Sequence, residues 1–193
     1  MKKMQMSGVL RTDFGKKGTK AVRRNEQVPC ALYGGSGEAV YFAVDQKALK
    51  PLLNSIYSYL VEFDIDGKKE VGVLQSAQYH PVKDYPMHVD FLRVEDGKPV
   101  SIEVPIKVVG NSEGVKAGGK LSIQRRKIRV SALEQNLPDV IELDITHLTI
   151  GKAIFAGEVK VEGVTVLTPA TTSLCTVLTT RAARSAEAAA QGR

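Results

Sequence analysis

Gln75-Ser76-Ala77-Gln78-Tyr79-His80-Pro81, running on to His88-Val89-Asp90-Phe91, gathers amides, imidazoles and one carboxylate into a short span. Pro81 and Pro86 stiffen the connection between its two parts. Gln, His and Asp offer directed donors and acceptors, which suits the 2′-hydroxyls and base edges in the shallow minor groove of an RNA helix. The same residues also have an internal outlet. At i and i+2, His88 and Asp90 share one strand face, where they can hydrogen-bond each other at the end of a barrel. The residue types alone leave both readings open.

Charge supplies the second constellation. Eight of the first 24 residues are Lys or Arg (Lys2, Lys3, Arg11, Lys16, Lys17, Lys20, Arg23, Arg24), opposed only by Asp13. That local charge of +7 exceeds the +6 of the whole chain, and from Asn25 to Glu95 six basic residues face ten acidic ones. A block this dense repels itself until a partner neutralises it, and a polyphosphate chain is the commonest such partner. Gly15 and Gly18 punctuate the block, so it reads as a mobile basic loop rather than a continuous helix. Val28-Pro29-Cys30-Ala31-Leu32-Tyr33 follows directly and pins the loop to a folded surface, which favours a defined phosphate-binding patch. A second basic run, Arg125-Arg126-Lys127-Ile128-Arg129, sits inside a strand pattern. Edge strands carry such cations to discourage edge pairing, so this run stays outside the primary site.

Nothing comparable supports catalysis. The histidines are His80, His88 and His147, and no G-x-S-x-G elbow, H-E-x-x-H or C-x-x-C pair occurs. Gly34-Gly35-Ser36-Gly37 lacks the Lys-Ser/Thr of a phosphate loop and reads as a Gly-rich hairpin loop. No enzyme and no cofactor or metal is expected. Trp is absent and aromatics make up 6% of the chain, too few for a large aromatic core or an extended stacking platform. Cys30 and Cys175 stand in no ligand spacing and fit a reducing cytosol, where they pack as small hydrophobes. With no apolar run of signal or membrane-spanning length, the expectation is a soluble, cytoplasmic protein.

Strand signals dominate the elements that must position these residues. Tyr59 to Ile65 alternates apolar and acidic residues, meets Asp66-Gly67, and is followed by Val71 to Leu74, a hairpin pattern. Pro29 to Tyr33 reads as a strand leading into the glycine loop, and Val40 to Val44 as its return. Asp45 can cap a helix carrying Ala48, Leu49, Leu52 and Leu53, which Pro51 should keep short, kinked or late-starting. The polar cluster Glu95 to Pro99 marks a domain boundary. Beyond it, alternating runs at Ile102–Val108, Lys120–Val130, Ile141–Ile145, Glu158–Leu167 and Leu174–Leu178 predict a second β domain, with Pro105 at an edge or bulge. The Ala-rich stretch from Arg181 to Arg193 is too short to hold a helix alone and reads as a flexible tail. The organisation is therefore 1–95, 96–180 and 181–193.

These residues together resemble one family. Arg11-x-x-x-Gly15-Lys16-Lys17-Gly18-Thr19-Lys20-x-x-Arg23, Val28 to Gly34, Gln78-x-His80-Pro81 and His88-Val89-Asp90-Phe91 resemble the 5S rRNA-binding bacterial ribosomal protein family numbered twenty-five of the large subunit. Val104-Pro105-Ile106, Gly114-Val115-x-x-Gly118-Gly119-x-Leu121, Leu137-Pro138 and Leu148-x-Ile150-Gly151 are similar to the C-terminal domain of its two-domain CTC, or general-stress, form. Lys17 lengthens the usual basic-Gly pair, and Pro51 interrupts the helix. The resemblance implies a mainly β fold, with an N-terminal six-stranded barrel bearing short helices and a separate C-terminal β-rich domain. It implies a structural, rRNA-binding component of the ribosome that grips the loop E region of 5S rRNA in the central protuberance, beside neighbouring ribosomal proteins and 23S rRNA. Carried onto this sequence, the RNA-binding residues are Arg11, Lys16, Thr19, Lys20, Arg23, Tyr33, Gln75, Gln78, His80, His88 and Asp90, with Arg24 added on charge alone. The rival expectation is a non-ribosomal stress factor whose β domains bind proteins and whose basic arm is only a tether.

Overall fold

The computed structural model describes residues 1–95 and 97–181. It is mainly β and divides into two compact units. One comprises Met1–Ile102 with Ala132–Asp139, the other Glu103–Ser131 with the described residues from Val140 onward. The tail expected from Arg181 lies, beyond Arg181 itself, outside the described residues.

The first unit is built on six strands: β1 (Lys2–Leu10), β2 (Gln27–Tyr33), β3 (Val40–Asp45), β4 (Tyr59–Ile65), β5 (Lys68–Tyr79) and β6 (Pro86–Arg93). They close into a barrel in the order β1-β3-β2-β6-β5-β4. Two parallel pairings, β1 with β4 and β2 with β6, complete a ring that is otherwise antiparallel. The alternation read at Tyr59 to Ile65 forms β4, which turns back through Asp66 and Gly67, both at positive φ. β5 is much longer than the Val71 to Leu74 run suggested, so Gln75 to Gln78 lies on a strand. Phe42, Phe63 and Phe91 meet at the barrel centre, with ring centroids 4.7–6.3 Å apart and no more than 1% exposure. Three rings suffice for a barrel of this size; the aromatic poverty of the chain limits the core's extent, not its closure.

Two helices accompany the barrel, α1 (Gly15–Arg24) and α2 (Gln46–Leu53). α2 is short, as Pro51 predicts, and Asp45 caps it by accepting from the Lys47 amide at 2.8 Å. Its buried Leu49 and Leu52 join the barrel core. α1 corrects the expectation of a mobile loop over the basic block. Lys2 and Lys3 do not belong to that segment either, since both lie on β1. There Lys3 pairs with Glu62 at 3.0 Å and the Lys2 ammonium sits 3.9 Å from the Tyr57 ring centroid.

The second unit holds most of β7 (Val100–Val109), α3 (Glu113–Lys116), β8 (Lys120–Ile123), β9 (Lys127–Ala132), β10 (Ile141–Asp144), β11 (Ala153–Phe155), β12 (Val164–Val166) and β13 (Ser173–Leu178). Its sheets run β10-β7-β9-β12 and β11-β13-β8. The expected Lys120–Val130 strand is split into β8 and β9, and only the end of the Glu158–Leu167 run is extended. β9 lies between β7 and β12, so its cations do not protect an edge as expected. Pro105 also lies on an inner strand, but the β10 ladder begins only at Ile106, so the missing N–H costs nothing on that side. Cys30 and Cys175 are free and buried, in line with the sequence.

Truncating Phe91 leaves a void among the three rings. In urea unfolding, Phe91→Ala is expected to lower stability by about 3–5 kcal/mol, while Val82→Ala, at a side chain 82% exposed, should change it by about 0.5 kcal/mol or less.

Candidate nucleic-acid interface

The basic block becomes a helix through two different uses of glycine. Gly15 opens α1 at φ +85°, a conformation that L side chains rarely adopt. Gly18 permits contact, since a Cβ there would stand 2.7 Å from the Asp13 carbonyl oxygen. The Thr19 hydroxyl donates back to the Gly15 carbonyl at 2.8 Å. Arg23 and Arg24 in the last turn complement the helix dipole, but the first turn carries Lys16 and Lys17 and no acidic residue. No residue of α1 is buried. The helix packs against β2, whose Pro29 and Ala31 are buried small residues on the outer side of the barrel wall. Its firmest attachment is Arg23, which donates through Nε and Nη2 to the Met87 carbonyl at 3.1 and 2.9 Å.

Helical spacing then sorts the cations. Lys16, Lys20 and Arg24 fall at i, i+4 and i+8, and Thr19 and Arg23 at i and i+4, so all five lie on one stripe. With Gly15, His80, Tyr85 and Met87 they line an open groove of about 700 Å³. Lys17 does not line it. Lys16, Lys20 and Arg24 form no ion pair with a carboxylate among the described residues. His80 is fixed by its own turn. Nδ1 accepts from the amides of Val82 and Lys83 at 3.2 Å, and the ring lies against Tyr85 with centroids 4.8 Å apart. With Nδ1 occupied as an acceptor, a neutral imidazole carries its proton on Nε2.

A second group lies on the outer face of β5 and β6. Gln78 pairs with His88 and Ser76 with Asp90 across the two strands, while their neighbours Ala77 and Val89 join the core. Asp90 accepts from the Ser76 hydroxyl at 2.6 Å. His88 Nδ1 stands 3.3 Å from Asp90 Oδ1, within ion-pair distance but without an aligned hydrogen bond. The internal His88–Asp90 pairing allowed by the sequence is therefore present as a close contact. Gln75 occupies a bulge between Leu74 and Ser76, and its Oε1 is likewise buried without a hydrogen-bond partner. Arg11 donates through Nη2 to the Asp13 carbonyl at 3.1 Å and the Thr19 hydroxyl at 3.4 Å, which leaves Nε unpartnered. These are the three buried side-chain atoms without a hydrogen-bond partner among the described residues. Both Arg11 and Asp90 act on Cys30 beneath them: burial pushes the Cys30 thiol upward, Asp90 adds to that shift, and Arg11 opposes it.

The structure thus brings Lys16, Thr19, Lys20, Arg23, Arg24 and His80 into one groove, with Arg11 attached through Thr19. Gln78, His88 and Asp90 share the adjoining strand face, because His88 follows the Met87 that anchors Arg23. Tyr33 lies outside the groove, at the end of β2 in register with Leu92.

Residues 6–91 match the model of the Ribosomal L25p family, and residues 99–181 match that of the ribosomal protein TL5 C-terminal domain. Proteins named large ribosomal subunit protein bL25 are similar along nearly their whole length. The one from Porphyromonas gingivalis is 45% identical over 96% of this chain and 97% of its own. That from Bacteroides thetaiotaomicron is 42% identical over 98% and 99%, and that from Parabacteroides distasonis 37% over 97% and 99%. The chain belongs to the ribosomal L25p family. A member of this family is a structural protein of the ribosome, a cytoplasmic particle, and not an enzyme.

Within this L25p-family chain, several residues that shape the groove escaped sequence reasoning. Met87 contributes only its carbonyl, and Tyr85 serves through its ring against His80. Ser76 holds Asp90, and its pairing could have been found only by fixing the β5–β6 register across a bulge. Gly18 is a legible signal, although a glycine inside such a stretch by itself argues against a helix. Gly18→Ala would ordinarily favour a helix by about 1 kcal/mol. Here the added Cβ meets Asp13, so circular dichroism and urea unfolding should show no gain, and RNA affinity should fall.

Proposed function

We propose that the chain is a component of the large ribosomal subunit whose residues 1–95 bind 5S rRNA at its loop E region, in the central protuberance. The observation that carries this reading is the single groove in which the cationic stripe of α1 meets His80. Family membership and the resemblance supply the identity of the RNA, and the geometry supplies how it is held. Lys16, Lys20 and Arg24 neutralise phosphates without first having to break ion pairs. Phosphate contacts fix position, while Gln75, Gln78, His80, His88 and Asp90 read hydroxyls and base edges. Thr19 and Arg23 set the pose of α1, and Tyr33 extends the contact at the far end of β2. In the central protuberance the chain adjoins neighbouring ribosomal proteins and 23S rRNA.

Binding to purified 5S rRNA and to tRNA, titrated across salt, tests this. Phosphate contacts from Lys16, Lys20 and Arg24, joined by Arg11 and by the outward face of Arg23, number four or five and predict log K falling with log salt at a slope of about −3 to −4. Lys16→Ala and Lys20→Ala should each make the slope shallower by about 1. His88→Ala should weaken binding by about 5- to 100-fold with the slope intact. Equal affinity for tRNA, or a slope change in His88→Ala matching that of the lysine variants, would contradict the assignment.

A further inference from the structure

Phe14 occupies the N-cap position of α1, where Ser, Thr, Asp and Asn are preferred, and supplies no capping bond. It is also 62% exposed. A large apolar ring in that place gives up a cap and gains little burial, so the isolated fold does not account for it. Among the described residues its one ring contact is Tyr41 on β3, edge to face at 5.5 Å and 78°, and Tyr41 is itself 44% exposed. An edge-to-face pair leaves a π face open to solvent.

The pair is continuous with the proposed RNA surface on two sides. Along the chain, Phe14 lies between Arg11 and the Lys16-Lys17 turn, and the Arg11 amide donates to the Tyr41 carbonyl at 2.9 Å. Across the sheet, Tyr41 pairs with Ala31 on β2, and Ala31 pairs with Asp90 on β6. Asp90 in turn pairs with Ser76 on β5. Tyr41, Ala31, Asp90 and Ser76 thus form one row on the outer side of the barrel wall, with α1 packed over its buried middle at Ala31, an aromatic ring at one end and the polar site at the other. Aromatic rings set among unpaired cations suit a nucleobase better than an apolar protein surface, because every base has a π face and arrives with a phosphate.

We propose that Phe14 and Tyr41 form a two-ring stacking platform for one unpaired base of the RNA whose phosphates α1 holds. This deepens the RNA-binding reading above and depends on it. The chain's few aromatics exclude a long single-strand platform, and the structure assembles two of them at the mouth of the basic helix. One stacked base fixes the strand where it leaves the duplex, so the platform adds affinity without adding to the salt dependence.

The test uses the full chain, purified 5S rRNA, and a short RNA duplex with a single-stranded overhang carrying 2-aminopurine. Phe14→Ala should weaken 5S rRNA binding by about 5- to 100-fold at unchanged salt slope and abolish quenching of the 2-aminopurine. Phe14→Trp should retain both. Phe14→Leu, which keeps apolar bulk and loses the π face, should behave like Phe14→Ala. Because Phe14 is an exposed side chain, all three variants should keep the parent urea midpoint. Lys20→Ala is the internal reference. Should it weaken binding while Phe14→Ala and Phe14→Leu bind like the parent, the platform is overturned and the RNA surface stands. If Lys20→Ala is also without effect, the RNA-binding reading itself fails. Parent-like RNA binding by Phe14→Ala, combined with its earlier loss from large subunits in a salt wash, would assign the rings to a protein neighbour and overturn the stacking proposal.

Discussion

Five like charges on a ten-residue helix, with no buried residue and no acid in the first turn, constitute the constraint around which this barrel face is arranged. Such a helix gains little from its own sequence. It forms because the barrel supplies what the segment lacks: a close backbone approach at Gly18, a bed of small residues on β2, and the Met87 carbonyl for Arg23. Repulsion among the cations opposes those contacts, and only an anionic partner removes it. The free protein therefore holds its recognition element in place against an electrostatic load that binding relieves.

The same logic runs through the polar face. Asp90 accepts from Ser76 through one carboxylate oxygen and holds the other 3.3 Å from His88 Nδ1, and the bulge at Gln75 turns an amide oxygen into a buried site without a donor. Buried polar atoms are almost always paired in folded proteins. The exceptions at Arg11, Gln75 and His88 all fall on residues assigned above to the proposed RNA-binding surface. The Phe triad makes this affordable, since a closed, well-packed barrel tolerates a few unmet bonds on its outer wall.

Much of this organisation was legible in the chain. The Tyr59–Ile65 alternation with Asp66-Gly67 gave a hairpin, though not the full length of its second strand, and Asp45 with Pro51 gave a short capped helix, because each signal is local. The chemistry of the polar segment was also legible from residue types alone. What stayed hidden was set by distant parts of the sequence. Glycines at 15 and 18 look like helix breakers until Asp13 and the barrel wall are present to exploit them. Pro105 and the Arg125–Arg129 run suggested an edge, but strand order depends on pairings that no local pattern encodes. The placing of Ser76 opposite Asp90, beside His88, turns on a one-residue bulge, which alternation does not reveal.

The central claim is that the cationic stripe of α1 and the polar face of β5 and β6 act as one RNA-binding surface. Amide hydrogen exchange of the full chain, with and without 5S rRNA, tests it most directly. The account predicts that residues 15–24 and 75–90 gain protection together on RNA addition, while the β1–β4 side of the barrel is unchanged. Protection confined to one of the two segments, or centred on the β1–β4 side, would contradict it.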